Sequence, residues 1–166
     1  MSVKSQETNM SRLADLLSQD LSYIGGEREC GPNGAKKTYL NLGKVFLRAM
    51  AKDLGLRDAK VTSNSAGIAV SGDCGLIGMW ENSGVYVSIS QFCGGKYVVL
   101  YRTARNLRDY AGGHNHFLTS EDLRKLSYPE LLEKFSALRK EGGIHERHGG
   151  QYDRAAFGRT LSGYAA

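Results

Sequence analysis

Arginine, tyrosine and histidine are concentrated between Arg102 and Phe117, where the sequence reads RTARNLRDYAGGHNHF. The planar guanidinium of arginine binds phosphate and carboxylate groups through paired hydrogen bonds, and exposed tyrosine stacks on nucleobases. The segment is too polar for a core and follows several predicted strands, so we predict a binding loop carried on a sheet. The predicted binding residues, which include one cation upstream of the segment, are Lys96, Arg102, Arg105, Arg108, Tyr110, His114, Asn115 and His116.

The residues around this segment leave two interpretations open. Asp109 is the one acidic residue between Gln91 and Leu118, a stretch that carries four lysines and arginines. Tyrosines are interleaved with these cations at Tyr86, Tyr97, Tyr101 and Tyr110. Guanidinium groups mixed with exposed rings would hold a nucleic acid strand. Alternatively, the tyrosines are half-buried sheet residues and the arginines pair with carboxylates on nearby helices.

The histidines are spaced as two pairs. His114 and His116 are two positions apart, and His145 and His148 are three apart. Two such pairs are compatible in number with a tetrahedral zinc site, but no cysteine or carboxylate completes a known spacing. We therefore predict solvated loop histidines, with no metal and no cofactor.

No complete catalytic motif is present in the sequence. Cys74 and Cys93 lie in or beside predicted strand turns, where a free cysteine is more often a small apolar residue than a nucleophile. The segment 63–67 (SNSAG) differs from the G-x-S-x-G elbow. We predict a protein that is not an enzyme. A small hydrolase or transferase that uses His114 or His116 as acid or base, with Arg108 holding an anion, is the less favoured alternative.

The composition is that of a globular, basic protein. The chain has 166 residues, 21 of them glycine, and a formal net charge of +5, which suits an anionic partner without requiring one. Its three cysteines include no CxxC pair, which argues against a disulfide framework and a zinc ribbon. No stretch approaches the about 18 apolar residues of a membrane span or resembles a signal peptide. We predict a protein of the bacterial host cytoplasm.

Two helices are predicted before any strand. From Asn9, a predicted cap after a frayed start, apolar residues recur at helical spacing as far as Gly25-Gly26. A second helix ends at Gly55, which is expected to adopt a left-handed conformation. Its predicted apolar face consists of Tyr39, Leu42, Val45, Phe46, Ala49, Met50 and Leu54.

The middle of the chain changes to strand-like alternation. Short turns separate the runs 61–65, 67–71, 76–81, 85–90 and 97–103. Turns this short require antiparallel pairing. We expect an antiparallel meander of four to five strands.

A final helical segment follows the loop. Ser120 is its predicted cap, and Pro129 is predicted to start a second piece after a short first one. Its apolar stripe consists of Tyr128, Leu131, Leu132, Phe135 and Leu138. The sequence thus predicts a two-layer α+β domain over residues 1–141, in the order α-α-β-β-β-β-(β)-α. Residues 142–166 form a weakly patterned tail, predicted to be ordered only in part.

Part of the chain resembles a known family. The segments 63–72 (SNSAGIAVSG), 85–90 (VYVSIS) and 108–115 (RDYAGGHN), with the helix around 46–55, are similar to small accessory proteins encoded by phages and plasmids. The likeness covers about residues 40–117, and the sequence departs from it at 73–79 and after Leu118. It implies a gene carried by mobile elements, many of which blunt host defence.

These observations give a leading hypothesis and two alternatives. We expect a phage or mobile-element accessory protein that acts by binding, as an inhibitor of a host defence protein or ribonucleoprotein such as a CRISPR effector. The first alternative is a module that binds DNA or RNA directly through the Arg/Tyr loop. The second is the histidine enzyme described above. The sequence leaves the oligomeric state open.

Overall fold

The computed structural model describes residues 2–19, 21, 34–65, 71–109 and 113–141. Within these ranges, the sheet has the strand order β1-β2-β3-β4-β5, and all its neighbours pair antiparallel. This confirms the predicted α+β class. The elements are α1 (Val3–Leu17), α2 (Ala35–Asp53), β1 (Arg57–Asn64), β2 (Asp73–Met79), β3 (Gly84–Phe92), β4 (Tyr97–Ala104), β5 (His116–Leu118), α3 (Ser120–Lys125) and α4 (Tyr128–Glu141).

Helix α1 begins six residues before the predicted cap. Ser2 caps it, because its hydroxyl accepts a hydrogen bond from the Ser5 amide at 3.3 Å. The predicted frayed start was wrong. The buried face of α1 continues from Met10 back to Gln6, but Gln6 is polar, so a search for apolar residues at helical spacing does not detect this first turn. The helix ends at Leu17, well before the glycine pair, which lies outside the described residues.

Gln6 occupies an unusual position for a polar side chain. Its amide oxygen accepts from Asn9 Nδ2 at 2.9 Å, but its amide nitrogen has no hydrogen-bond partner among the described residues. The neighbouring helices contribute another polar pair, in which the Tyr128 hydroxyl donates to the Asp53 carboxylate at 2.7 Å. Burial, and then this bond to Asp53, raise the pKa of Tyr128, so the phenol stays protonated.

Helix α2 packs closely against β2. At Gly43, an added Cβ would lie 2.9 Å from the Cys74 sulfur, so glycine permits the approach. The buried face includes Gly43 and Leu47, whereas Val45, predicted to be buried, is 40% exposed. Gly55 has the predicted left-handed conformation, with φ of 63°.

The sheet differs from the prediction in its first and last strands. β1 begins at Arg57 rather than Val61, and the predicted run 67–71 lies outside the described residues except for Ser71, which is not in a strand. The fifth strand is instead β5, within the segment predicted to be a loop. Three residues are too few for an alternation pattern to reveal.

One face of the sheet contacts the helices. Registers align Cys74 with Ile89 and Val99, and Leu76 with Val87 and Tyr101. The Cys74 thiol donates to the Leu40 carbonyl of α2 at 3.3 Å, and the Tyr101 ring lies 4.8 Å from that of Phe135 in α4. The alternate residues of β3, β4 and β5 therefore face the other way. We call this the second face; it includes Tyr86, Ser88, Leu100, Arg102 and Phe117.

β1 forms one edge of the sheet, and its side chains are exposed along nearly the whole strand. Its pairing with β2 is interrupted between Arg57 and Lys60, where Asp58 has a positive φ of 52°. The edge therefore combines a bulge with charged side chains.

Residues 126–127 separate the last two helices, and α4 begins at Tyr128, one residue before Pro129, which was predicted to start it. Thr119 rather than Ser120 caps α3, because its hydroxyl accepts from the Asp122 amide at 3.1 Å and Asp122 accepts from the Thr119 amide at 2.8 Å. The predicted apolar stripe of α4 is buried apart from Leu132, which is partly exposed. The predicted tail, 142–166, lies outside the described residues, and within those residues no helix is long and apolar enough to span a membrane.

Candidate functional site

The predicted binding residues lie at two ends of β4. Lys96 is in the turn between β3 and β4, whereas Arg105 and Arg108 follow the other end of β4. With about 3.3 Å per residue, the eight steps from residue 97 to residue 105 span about 26 Å. The structure therefore separates Lys96 from the arginines of the β4–β5 loop, residues 105–115. Tyr110 belongs to this loop but lies outside the described residues.

Arg102 is not on the loop surface. It lies within β4 with only 2% of its surface exposed, and its guanidinium carbon is 4.6 Å from the centre of the Tyr86 ring across the second face. It donates to the Asp109 carbonyl at 3.2 Å and lies 4.0 Å from the Asp109 carboxylate. The expectation that Arg102 serves as an exposed anion-binding group is corrected: in this structure it supports the loop from beneath.

Asp109 organises the first turn of the loop. Its carboxylate accepts from the Arg105 backbone amide at 3.0 Å and from Arg105 Nε at 3.2 Å. Its own amide donates to the Asn106 carbonyl at 3.1 Å. A charge as buried as Asp109 needs such partners to offset its desolvation. Arg102 and Arg105 thus pair with the loop's own acid.

The outward side of this turn is cationic. The Arg105 side chain is 68% exposed although it contacts Asp109, so much of its guanidinium faces solvent. Arg108 is also exposed, and its backbone is held by a hydrogen bond of 2.8 Å to the Asn106 side chain. The only acid of the stretch 91–118 is thus enclosed beneath the turn, while two guanidinium groups remain accessible.

The two loop histidines lie together at the end of the loop. Their ring centres are 5.1 Å apart in an edge-to-face arrangement, and His116 stacks on Tyr101 at 5.1 Å. His114 and Asn115 are exposed, while His116 is half-buried because it starts β5. The two imidazole rings thus pack against each other and against Tyr101. Within the described residues no group of three or more histidine, cysteine or acidic side chains is placed to hold a metal ion.

The tyrosines of the sheet follow the alternative interpretation. Tyr86 and Tyr97 are half-buried and Tyr101 is buried.

Among the cysteines, Cys74 is buried and Cys93 is exposed. Burial, then the neighbouring Asp73 carboxylate, raise the pKa of the Cys74 thiol to about 12, so the thiol remains protonated near neutral pH.

A cluster of hydroxyl groups that the sequence did not predict lies where β2 begins. Tyr39 donates to the Ile89 carbonyl at 2.6 Å, and Ser71 and Ser90 both donate to the Gly72 carbonyl, at 3.2 and 2.6 Å. Burial raises the pKa of Tyr39 and keeps it a donor. These bonds fasten β2 and β3 to α2, a structural role that long-range contacts alone reveal.

Comparisons of this chain with protein-family models, with curated proteins and with solved structures found no match. Function is therefore inferred from the β4–β5 loop and the surface around it.

Proposed function

We propose that this protein acts by binding, as a phage or mobile-element accessory protein that inhibits a host defence ribonucleoprotein such as a CRISPR effector. The observation that supports the proposal is the built cationic turn of the β4–β5 loop. Arg105 and Arg108 are presented outward by a backbone that Asp109 holds in place. A preformed loop loses little conformational entropy on binding, which favours affinity for an anionic partner.

The choice of partner rests on charge and on the family resemblance. Guanidinium groups form paired hydrogen bonds with phosphate and carboxylate, and a defence ribonucleoprotein exposes both. The resemblance to accessory proteins of phages and plasmids supplies the biological context. An inhibitor of this kind needs a shaped charged surface and no catalytic chemistry.

The test is co-elution with purified effector ribonucleoproteins, followed by an assay of target cleavage. We expect the double variant Arg105→Ala, Arg108→Ala to bind at least tenfold more weakly, which corresponds to about 1.4 kcal/mol. Its stability should change by about 0.5 kcal/mol or less, since both side chains are largely exposed.

The matched control is Lys125→Ala with Lys134→Ala, which removes equal charge from α3 and α4. Both lysines are exposed and far from the loop in sequence. Equal losses from the two double variants would assign binding to overall charge and overturn the loop as the site. The absence of any co-eluting effector across the common types would overturn the partner.

Direct binding of free nucleic acid is the second candidate, and the same two guanidinium groups favour it. Phosphate neutralisation gives a log–log salt slope near −0.9 per phosphate on duplex or about −0.7 on single strands. A flat salt response, or no retention of either kind of strand at low salt, would exclude it.

A further inference from the structure

Three aromatic rings form a cluster on the sheet at the end of β4 opposite the cationic turn. Phe117 of β5 lies 5.0 Å from Tyr97 of β4 with a tilt of 33°, and 6.3 Å from Phe92 of β3 in an edge-to-face arrangement. We call these three residues the aromatic triad. Each comes from a different strand, so the pairing of β3, β4 and β5 creates the cluster.

Phe117 is the most accessible member of the triad. It is 38% exposed, and it is the aromatic residue among the large exposed apolar side chains, which also include Val3 and Val45. It pairs with Leu100 and therefore belongs to the second face, away from Tyr101 and the helices. Phe92 and Tyr97 are half-buried and support its ring from two sides.

A cation continues this arrangement of rings. Lys96 Nζ lies 5.1 Å from the centre of the Tyr97 ring, so ammonium, phenol and phenyl groups follow one another across the surface. The only acid in the stretch 91–118 is Asp109, which is buried beside Arg102 and Arg105. The triad and Lys96 together offer flat apolar groups and one positive charge, which match a ligand that carries flat apolar groups and negative charge.

We propose that the aromatic triad, with Lys96, is a stacking site for the unpaired bases of single-stranded nucleic acid. Aromatic side chains on a sheet surface stack such bases, and neighbouring cations contact the phosphates. A base on Phe117 would extend the existing stack, while Lys96 would meet the backbone. Duplex is a poor ligand for this site, because its bases already stack on one another.

The proposal rests on the binding function above in one respect: the strand is the nucleic acid component of the proposed partner. The site itself is separate. Counting about 3.3 Å per residue along β4, Tyr97 lies about 26 Å from Arg105, and Leu100, the strand partner of Phe117, lies about 17 Å from it. A strand of twelve nucleotides falls within the about 4–16 nucleotides that known single-strand folds cover.

Fluorescence anisotropy with labelled twelve-nucleotide strands tests the stacking site at fixed ionic strength. The probes are oligothymidylate, an abasic strand with the same number of phosphates, and a duplex of equal length. We expect oligothymidylate to bind at least tenfold more tightly than the abasic strand or the duplex. Equal affinity for thymidylate and the abasic strand would overturn the proposal, since only bases can stack.

Variants of Phe117 assign the effect to the triad. Phe117→Leu keeps an apolar side chain but removes the ring, and should weaken thymidylate binding by about tenfold without changing abasic binding. Phe117→Tyr should retain most of the affinity. Val45→Ala, a change at an apolar residue of similar exposure on α2, is the control and should have no effect. Equal losses for Phe117→Leu and Val45→Ala would overturn the assignment.

Photocrosslinking keeps the proposal testable in the unaltered protein if a variant fails to fold. A strand containing 5-iodouracil should crosslink to Phe117 or Tyr97, and crosslinks confined to other residues would overturn the site.

The proposed function and the stacking site would be contradicted by different results. If Arg105→Ala, Arg108→Ala weakens effector binding while Phe117→Leu leaves thymidylate binding intact, the proposed function stands and the stacking site falls.

Discussion

Two buried polar clusters in this protein differ in how completely their hydrogen bonds are satisfied. Beneath the β4–β5 loop, Asp109 accepts from the backbone and side chain of Arg105 and lies beside Arg102. Between the helices, Gln6 is buried still more completely, but its amide nitrogen has no hydrogen-bond partner among the described residues. The first cluster fixes the shape of a surface loop, whereas the second leaves the Gln6 amide nitrogen without a full hydrogen bond beside the Tyr128 hydroxyl. Buried polar groups thus have to be judged by their partners.

The largest expected effect comes from breaking the satisfied cluster. Asp109→Ala removes the carboxylate that lies 4.0 Å from the buried Arg102 guanidinium, and removing one partner of a buried pair costs about 3–5 kcal/mol. Urea denaturation should show this loss in the free energy of unfolding. The control is Asp15→Ala, which breaks the exposed ion pair of 3.0 Å with Arg124 and should cost about 1 kcal/mol or less. Similar small losses from both variants would show that the Asp109 cluster does not hold the loop.

Replacing the unsatisfied amide should have the opposite sign. Gln6→Leu removes a buried donor whose missing bond costs about 1–3 kcal/mol, so we expect the free energy of unfolding to rise by about 1 kcal/mol. Asn9 then loses its acceptor, but it is only half-buried and can turn to solvent. Gln19→Leu, at an exposed position beyond α1, is the control and should change little. Destabilisation by Gln6→Leu would mean that the amide is satisfied in solution.

The capping box of α3 provides an intermediate case, in which a satisfied network is open to solvent. Asp122→Ala should cost about 1 kcal/mol at neutral pH. Hydrogen bonds from the Thr119 amide and hydroxyl lower the pKa of Asp122 below its ordinary value of 3.8. Its folded pKa is therefore below its unfolded pKa, and the stabilisation is present above the unfolded value and is lost as pH falls through the folded one. The stability difference between native and variant should accordingly vanish in acid, and a difference independent of pH would contradict this account.

The sequence was sufficient where one local pattern decided the outcome. The alternation of β3, the glycine at the end of α2 and the start of a new helix within one residue of Pro129 were all predicted correctly, because each depends on residues within one or two turns of chain. The start of α1 was missed because the buried residue at that turn, Gln6, is polar. Val45 was misplaced because Gly43 brings α2 so close to Cys74 that the buried face shifts.

The candidate site was predicted only in part, for a similar reason. The concentration of arginines around Asp109 was visible in the sequence, but its division into a buried Arg102 and an exposed Arg105 depends on the alternation of β4 and on the fold of the loop. The aromatic triad was missed altogether. Its members are separated by up to 25 positions and meet only through the pairing of three strands. The one local sign of β5 in the sequence was the adjacent apolar pair Phe117 and Leu118, and a strand of three residues is too short to recognise from such a pair.

The bulged edge strand β1 bears on how this protein behaves when it is crowded. Open strand edges are templates on which other chains add strands, which leads to aggregation. The interrupted pairing around Asp58, together with the charges of Arg57 and Lys60, makes β1 a poor template. An edge of this kind benefits a protein that must accumulate quickly in a cell, because the sheet can fold without strands from other copies of the chain adding to its open edge.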